Sequence, residues 1–183
     1  MVRRRCFTPA SGAEQLEQAL IEDCREVLHA AGLPLGSQQP LQAADLRGSV
    51  QPNEAAVVVF TDVPGLPLPA MESLPQILRE ADVVLGPCAD GGIYLLAWSA
   101  SVDRALTEGM CNALASTEPL AALTDLLTDA EAEVELLPSW FRLSNERDFN
   151  VIDCVARLSV LSEDGEDDFS AERLRQWFEK FTE

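Results

Sequence analysis

Residues 57–98 read VVVFTDVPGLPLPAMESLPQILREADVVLGPCADGGIYLLAW, and three apolar runs in and around this stretch set the expected fold. The run Ala55–Phe60 is continuous and rich in β-branched side chains, the pattern of a strand buried on both faces. It ends at Thr61-Asp62. A proline-rich turn over Val63–Pro69 leads into a helical pattern with Met71, Leu74, Ile77 and Leu78 on one face, and Asp82–Leu85 forms a second short strand. Strand, helix and strand make a βαβ unit, which requires a right-handed crossover and a parallel sheet. Ligands of such sheets sit beyond the carboxyl ends of the strands, where Asp62 stands.

Working outward, Ser11-Gly-Ala-Glu14 has capping-box form and opens an amphipathic helix through Leu16, Leu20, Val27 and Leu28 that ends at Gly32. Residues 33–53 are rich in Gly, Pro, Gln and Ser without periodicity and read as an irregular connection. Beyond the quoted stretch, whose Ile93–Trp98 is a third strand, helices are expected over Ser101–Met110 and Thr117–Leu127. Thr117 would cap the latter, with Pro119 in its first turn. Val134–Leu137 reads as a fourth strand, and a helix begins at Asn145 and runs to about Leu161, with Asp148 placed to cap it. The acidic tract 162–169 is a like-charge linker. Residues 170–183 form a last helix, capped by Ser170, whose Leu174, Trp177, Phe178 and Phe181 make a narrow apolar stripe suited to packing back on the domain.

At 183 residues with 47% apolar or aromatic side chains, the chain supports one domain, residues 1–161, with a sizeable core and the terminal helix as an appendage. A net charge of -18 excludes a general nucleic-acid or anionic-membrane binder, because the mean field repels polyphosphate at range. Five scattered cysteines without a C-x-x-C pair, together with the absence of a signal-like segment, point to a reduced, cytoplasmic protein. No apolar run is long enough to cross a bilayer. His29 is the only histidine and Lys180 the only lysine, which removes histidine triads, multi-histidine metal sites and a Walker lysine. Chemistry must rest on carboxylates, arginines, hydroxyls or backbone.

Two stretches offer such chemistry. Asp62 can reach a divalent cation or a ribose hydroxyl, or it can cap the proline-rich turn. In Asp90-Gly91-Gly92 the glycines let backbone approach a ligand while the carboxylate binds hydroxyls; the same tripeptide is also a strong hairpin-turn signal. Cys88 lies beside it with no histidine to activate it, His29 reads as a helix-surface residue, and Trp140 and Phe141 read as core aromatics.

Taken together, residues 57–98 resemble the glycosyltransferase family associated with radical-SAM and selenium-domain gene clusters. That family's pattern is an apolar strand, Thr-Asp-x-Pro-x-Leu, a helix, Asp-Val-Val-Leu-Gly-Pro and Asp-Gly-Gly-Tyr-Tyr. The likeness continues in LLPSWFRLSNERDF, residues 136–149, which is similar to the family's Leu-Pro-x-Trp-Tyr-Asp-x-Asp segment. The resemblance implies an α/β fold of the nucleotide-diphospho-sugar transferase (GT-A-like, Rossmann-like) type, in three layers with a mostly parallel sheet. It further implies that Asp62 stands near a nucleotide diphosphate and its Mg²⁺ or Mn²⁺, that Asp90, as orienter or base, lines the sugar or acceptor side with Gly91 and Gly92, and that Tyr94 matches the motif's second aromatic. Four departures accompany it. The family's first strand and most of its nucleotide cradle have no counterpart, Gly65 replaces a polar residue, Ile93 replaces the first tyrosine, and Arg142-Leu143-Ser144 stands in place of Asp-x-Asp. An arginine there repels a metal and is either itself suited to a diphosphate or simply a surface charge in a chain with few positive ones.

The expected function is therefore metal-assisted transfer of a sugar from a nucleotide sugar, with nucleotidyl transfer as a close variant on the same fold. The alternative is a non-catalytic relative that keeps the sheet and serves as a binding or assembly module; homo-oligomerisation stays open.

Overall fold

The computed structural model describes residues 2–3, 13–36, 41–42, 46, 54–159 and 172–181. The acidic tract 162–169 and the expected caps Ser11 and Ser170 lie outside them. Two compact units are present, one of Met1–Arg4, Gln39–Phe60 and Ser73–Phe141, the other of Arg5–Gln38, Thr61–Glu72 and Arg142–Glu183.

In the first unit, strands β1 (Val2–Arg3) and β2 (Leu41–Gln42) pair in parallel, so a short strand precedes the first helix and another falls within the stretch read as irregular. The main sheet holds β3 (Ala56–Val59), β4 (Val83–Pro87), β5 (Ile93–Trp98) and β6 (Val134–Leu136) in the order β3-β5-β4-β6. Strands β3 and β4, joined through helix α2 (Leu68–Ile77), run in the same direction as a βαβ unit requires, but β5 lies between them and is antiparallel to both. Strand β6 adds to β4 in parallel. The sheet is thus mixed. Three strands share a direction, yet the β3–β5 and β4–β5 ladders are antiparallel, which corrects the expected mostly parallel pairing. The cause is the length of the link from β4 to β5: a handful of residues can only turn the chain back beside its predecessor, whereas a parallel return needs a dozen or more.

Every residue of β5 is buried, as its unbroken apolar sequence IYLLAW dictates for a strand covered on both faces. Helices α3 (Arg104–Leu114) and α4 (Pro119–Asp129) pack against each other in this unit. The α3 cap is Asp103, whose carboxylate accepts from the Leu106 N–H at 2.8 Å, so the helix starts later than expected. At α4 the N-cap position is Glu118 rather than Thr117, and Pro119 fills the first turn, where its missing N–H costs nothing.

In the second unit, α1 (Ala13–Ala30) buries Leu16, Leu20, Cys24, Val27 and Leu28 and stops at Gly32. There φ is +70°, the Leu33 N–H reaches the Leu28 carbonyl at 2.9 Å and the Gly32 N–H reaches that of His29 at 3.0 Å: a Schellman motif, which glycine favours. Helix α5 (Glu146–Ser159) opens with the reciprocal cap anticipated from Asn145 and Asp148. The Asp148 carboxylate accepts from the Asn145 N–H at 2.9 Å, while the Asn145 side-chain oxygen accepts from the Arg147 N–H at 2.9 Å. Helix α6 (Glu172–Phe181) packs on α1, with Leu174 and Trp177 buried and Trp177 6.0 Å from Phe149. Its amino end is capped from α1: the buried Asp23 accepts from the Arg173 and Leu174 N–H groups at 3.1 and 3.0 Å. Arg173 in turn pairs with Glu22 and Glu26. No helix among the described residues is long and apolar enough to cross a membrane.

Candidate functional site

The Asp-Gly-Gly stretch is the loop of the β4–β5 hairpin. The Cys88 N–H donates to the Gly92 carbonyl at 2.9 Å and the Gly91 N–H to the Cys88 carbonyl at 3.1 Å, which leaves Ala89, Asp90 and Gly91 as a three-residue loop. Gly91 has φ +82°, the left-handed last position that such loops reserve for glycine. One Asp90 oxygen accepts from the Gly92 N–H at 3.0 Å, stiffening the turn from within. The turn reading and the ligand reading are therefore compatible: Asp90 and Gly91 are exposed, and a methyl group at 91 would meet nothing within 4 Å.

Residues 137–140 are laced to this hairpin. The Leu137 N–H donates to Leu85 at 2.9 Å, that of Trp140 to Pro87 at 3.0 Å, and that of Ala89 to the Trp140 carbonyl at 3.0 Å. Trp140 and Phe141 are half-buried and stacked, with centroids 5.2 Å apart and planes inclined by 13°. Reading them as core aromatics missed this placement beside the loop; the signal was Pro138, which cannot donate to a ladder and so releases the chain from β6 just before them. Tyr94 is fully enclosed, its hydroxyl donating to the Pro138 carbonyl at 3.1 Å. Burial, with Cys88 adding to it, pushes the phenol up to about 12. That placement gives Tyr94 the task of tying the hairpin to residues 137–140.

Asp62 and Arg142 meet in the second unit. The Asp62 side chain, 4% exposed, lies 3.9 Å from the guanidinium of Arg142, itself 23% exposed. The Leu143 N–H donates to the Asp62 backbone carbonyl at 2.8 Å and fixes the two segments together. Magnesium and manganese want several oxygen donors, and here a cation faces the carboxylate. Among the described residues no group of three or more His, Cys, Asp or Glu side chains could hold a metal ion. The donor set around Asp62 does not fit a hard divalent cation.

Residues 2–111, more than half of the chain and the part that carries Asp62 and the hairpin, match the DUF2064 family model, described as an uncharacterized protein conserved in bacteria. The chain is a DUF2064 protein. Trp140 and Arg142 lie beyond the matched segment. This DUF2064 chain is also similar to the crystal structure of a candidate nucleotide-diphospho-sugar transferase from Desulfovibrio desulfuricans G20. The TM-score is 0.67 at 18% identity, over 93% of this chain and 86% of that one. The likeness establishes an α/β, nucleotide-diphospho-sugar transferase-like (GT-A-like) fold for this DUF2064 member. No curated protein matches it.

Proposed function

We propose that this protein transfers a sugar from a nucleotide-diphosphate donor to a hydroxyl acceptor in the cytoplasm, as members of the resembled glycosyltransferase family would. The observation that carries the reading is an exposed carboxylate, Asp90, held rigid by its own turn at the end of β4 in a fold similar to that of a candidate nucleotide-diphospho-sugar transferase. In transfer, the bond between the anomeric carbon and the β-phosphate oxygen breaks, a bond from that carbon to the acceptor oxygen forms, and the acceptor proton passes to Asp90. Gly91, exposed in the loop, offers backbone to sugar hydroxyls while Gly92 holds the turn, and Arg142, oriented by Asp62, offers charge to a diphosphate. The hairpin and the Asp62–Arg142 pair belong to different units, and each role rests on its own geometry.

The guanidinium beside Asp62, where the resemblance implies a metal, favours a second reading, a non-catalytic binder of the same ligands. Incubation with UDP-, GDP- and CDP-sugars and an acceptor panel separates the readings. Release of nucleoside diphosphate with a glycosylated product supports transfer, release of pyrophosphate from a parallel incubation with nucleoside triphosphates and a sugar 1-phosphate supports the nucleotidyltransferase variant, and tight binding without turnover supports the binder. Absence of any binding ends all three.

A further inference from the structure

A chain of net charge -18 repels polyphosphate at range, so a diphosphate site on it needs a fixed local cation. Asp62 and Arg142 supply one of unusual construction. The carboxylate is buried, so it acts as an internal anchor rather than as a group presented to solvent, and the arginine it faces is largely covered but keeps 23% of its side-chain surface exposed. The backbone bond from Leu143 to Asp62 keeps the anchor and the cation from separating. A guanidinium carries a planar fork of donors that matches two phosphate oxygens, which is the service a divalent cation performs when it bridges a diphosphate. The same guanidinium keeps such a cation away from Asp62, because like charges a few ångströms apart repel strongly where water is scarce.

We infer that Arg142 takes the place of a divalent cation in this protein, so that it binds nucleoside diphosphates without magnesium or manganese. The inference rests on the proposed nucleotide-sugar reading and specifies its charge-neutralising group. Asp62 is then a positioning residue, acting through Arg142.

The test is calorimetric titration of the full chain with UDP, GDP and CDP, once in EDTA and once with Mg²⁺ or Mn²⁺, for wild type, Arg142→Lys, Arg142→Ala and Arg142→Asp, with thermal melting as the folding control. Wild type is expected to bind its preferred nucleotide equally in both media. Arg142→Ala is expected to lose about tenfold or more, the weight of one charge-assisted contact. Arg142→Lys keeps the charge but not the fork, and it is expected to fall between these two while remaining indifferent to EDTA. Arg142→Asp sets a second carboxylate beside Asp62 and is expected to gain a manganese-dependent spectral change absent from wild type. Wild-type binding that appears only with a divalent cation overturns the inference and leaves the nucleotide-sugar reading standing. Failure of wild type to bind any nucleotide in either medium overturns that reading itself. If Arg142→Ala does not fold, the wild-type comparison and Arg142→Lys still decide.

Discussion

The ring of Tyr94 lies against the backbone of Gly86 so closely that a methyl group at position 86 would meet the ring's Cζ at 2.5 Å. No side chain other than hydrogen fits there unless the ring moves, and the ring is held by the Tyr94 hydroxyl on Pro138. Gly86→Ala is expected to destabilise the protein by about 1–3 kcal/mol, the usual cost of overpacking. Tyr94→Phe keeps the ring and loses one hydrogen bond, at a cost of about 1 kcal/mol. Urea unfolding should show the larger drop in midpoint for Gly86→Ala, with little change in slope; the reverse order contradicts the packing.

Asp90 has a structural duty and a proposed chemical one, and two substitutions separate them. Asp90→Asn keeps an oxygen to accept from Gly92, so its melting should match wild type within about 0.5 kcal/mol. Asp90→Ala loses the bond that stiffens the loop and should melt lower. If the carboxylate takes the acceptor proton, both variants lose roughly 10²–10⁴-fold in transfer rate. An Asp90→Asn protein with wild-type turnover removes Asp90 as base.

The cap that Asp23 places on α6 is expected to govern how firmly the terminal helix holds. Asp23→Ala leaves the Arg173 and Leu174 N–H groups without their acceptor, a loss of about 1–3 kcal/mol for buried donors. Hydrogen exchange should report it as accelerated exchange confined to α6 while the β5 amides stay protected. Uniform loss of protection would mean that α6 is not a separate unit of opening.

At the start of α5, burial pushes the Asp148 carboxyl up, but backbone and side-chain hydrogen bonds from Ser144 and Asn145 outweigh it and hold the group below its ordinary value. A carboxylate whose folded pKa is depressed stabilises fully above its unfolded pKa, about 3.9, and loses that contribution as pH falls through the folded pKa. Wild type should therefore lose stability below about pH 4 more steeply than Asp148→Asn, which lacks this titration. Parallel acid limbs in the two proteins would show that Asp148 is not held this way.

Local signals were legible in the sequence. Gly32, Asn145 with Asp148, and the apolar runs 55–60 and 93–98 each act within a few residues, and each marks an element or a cap in the fold. Neighbour relations were not. The run at β3 and the run at β4 give no sign that a third strand separates them, because β5 is as apolar as a strand in a parallel sheet would be. The hairpin reading of Asp90-Gly91-Gly92 was available and would have given the antiparallel ladder, since so short a link has no other outcome. At the site, Asp62 and Arg142 lie eighty positions apart in the chain, and their pairing follows from tertiary folding that no spacing rule encodes. Trp140 and Phe141 looked like core because aromatics usually are, and only the bonds of Trp140 to Pro87 and Ala89, with Phe141 stacked on its ring, reveal them beside the loop.

Insertion of β5 between β3 and β4 also sets an order of events in folding. The β4–β5 ladder closes across a three-residue loop, whereas the β3–β5 ladder must wait for the whole α2 excursion to return, and loop-closure entropy makes the local pairing faster. The hairpin is thus expected to form first, with β3 joining its open side later. Weakening Gly86 or Tyr94 should slow refolding, while weakening Val58 or Val59 should chiefly hasten unfolding. The loop that carries Asp90 is therefore also expected to be a starting point for the sheet's assembly, so that substitutions in it slow refolding as well as altering the site.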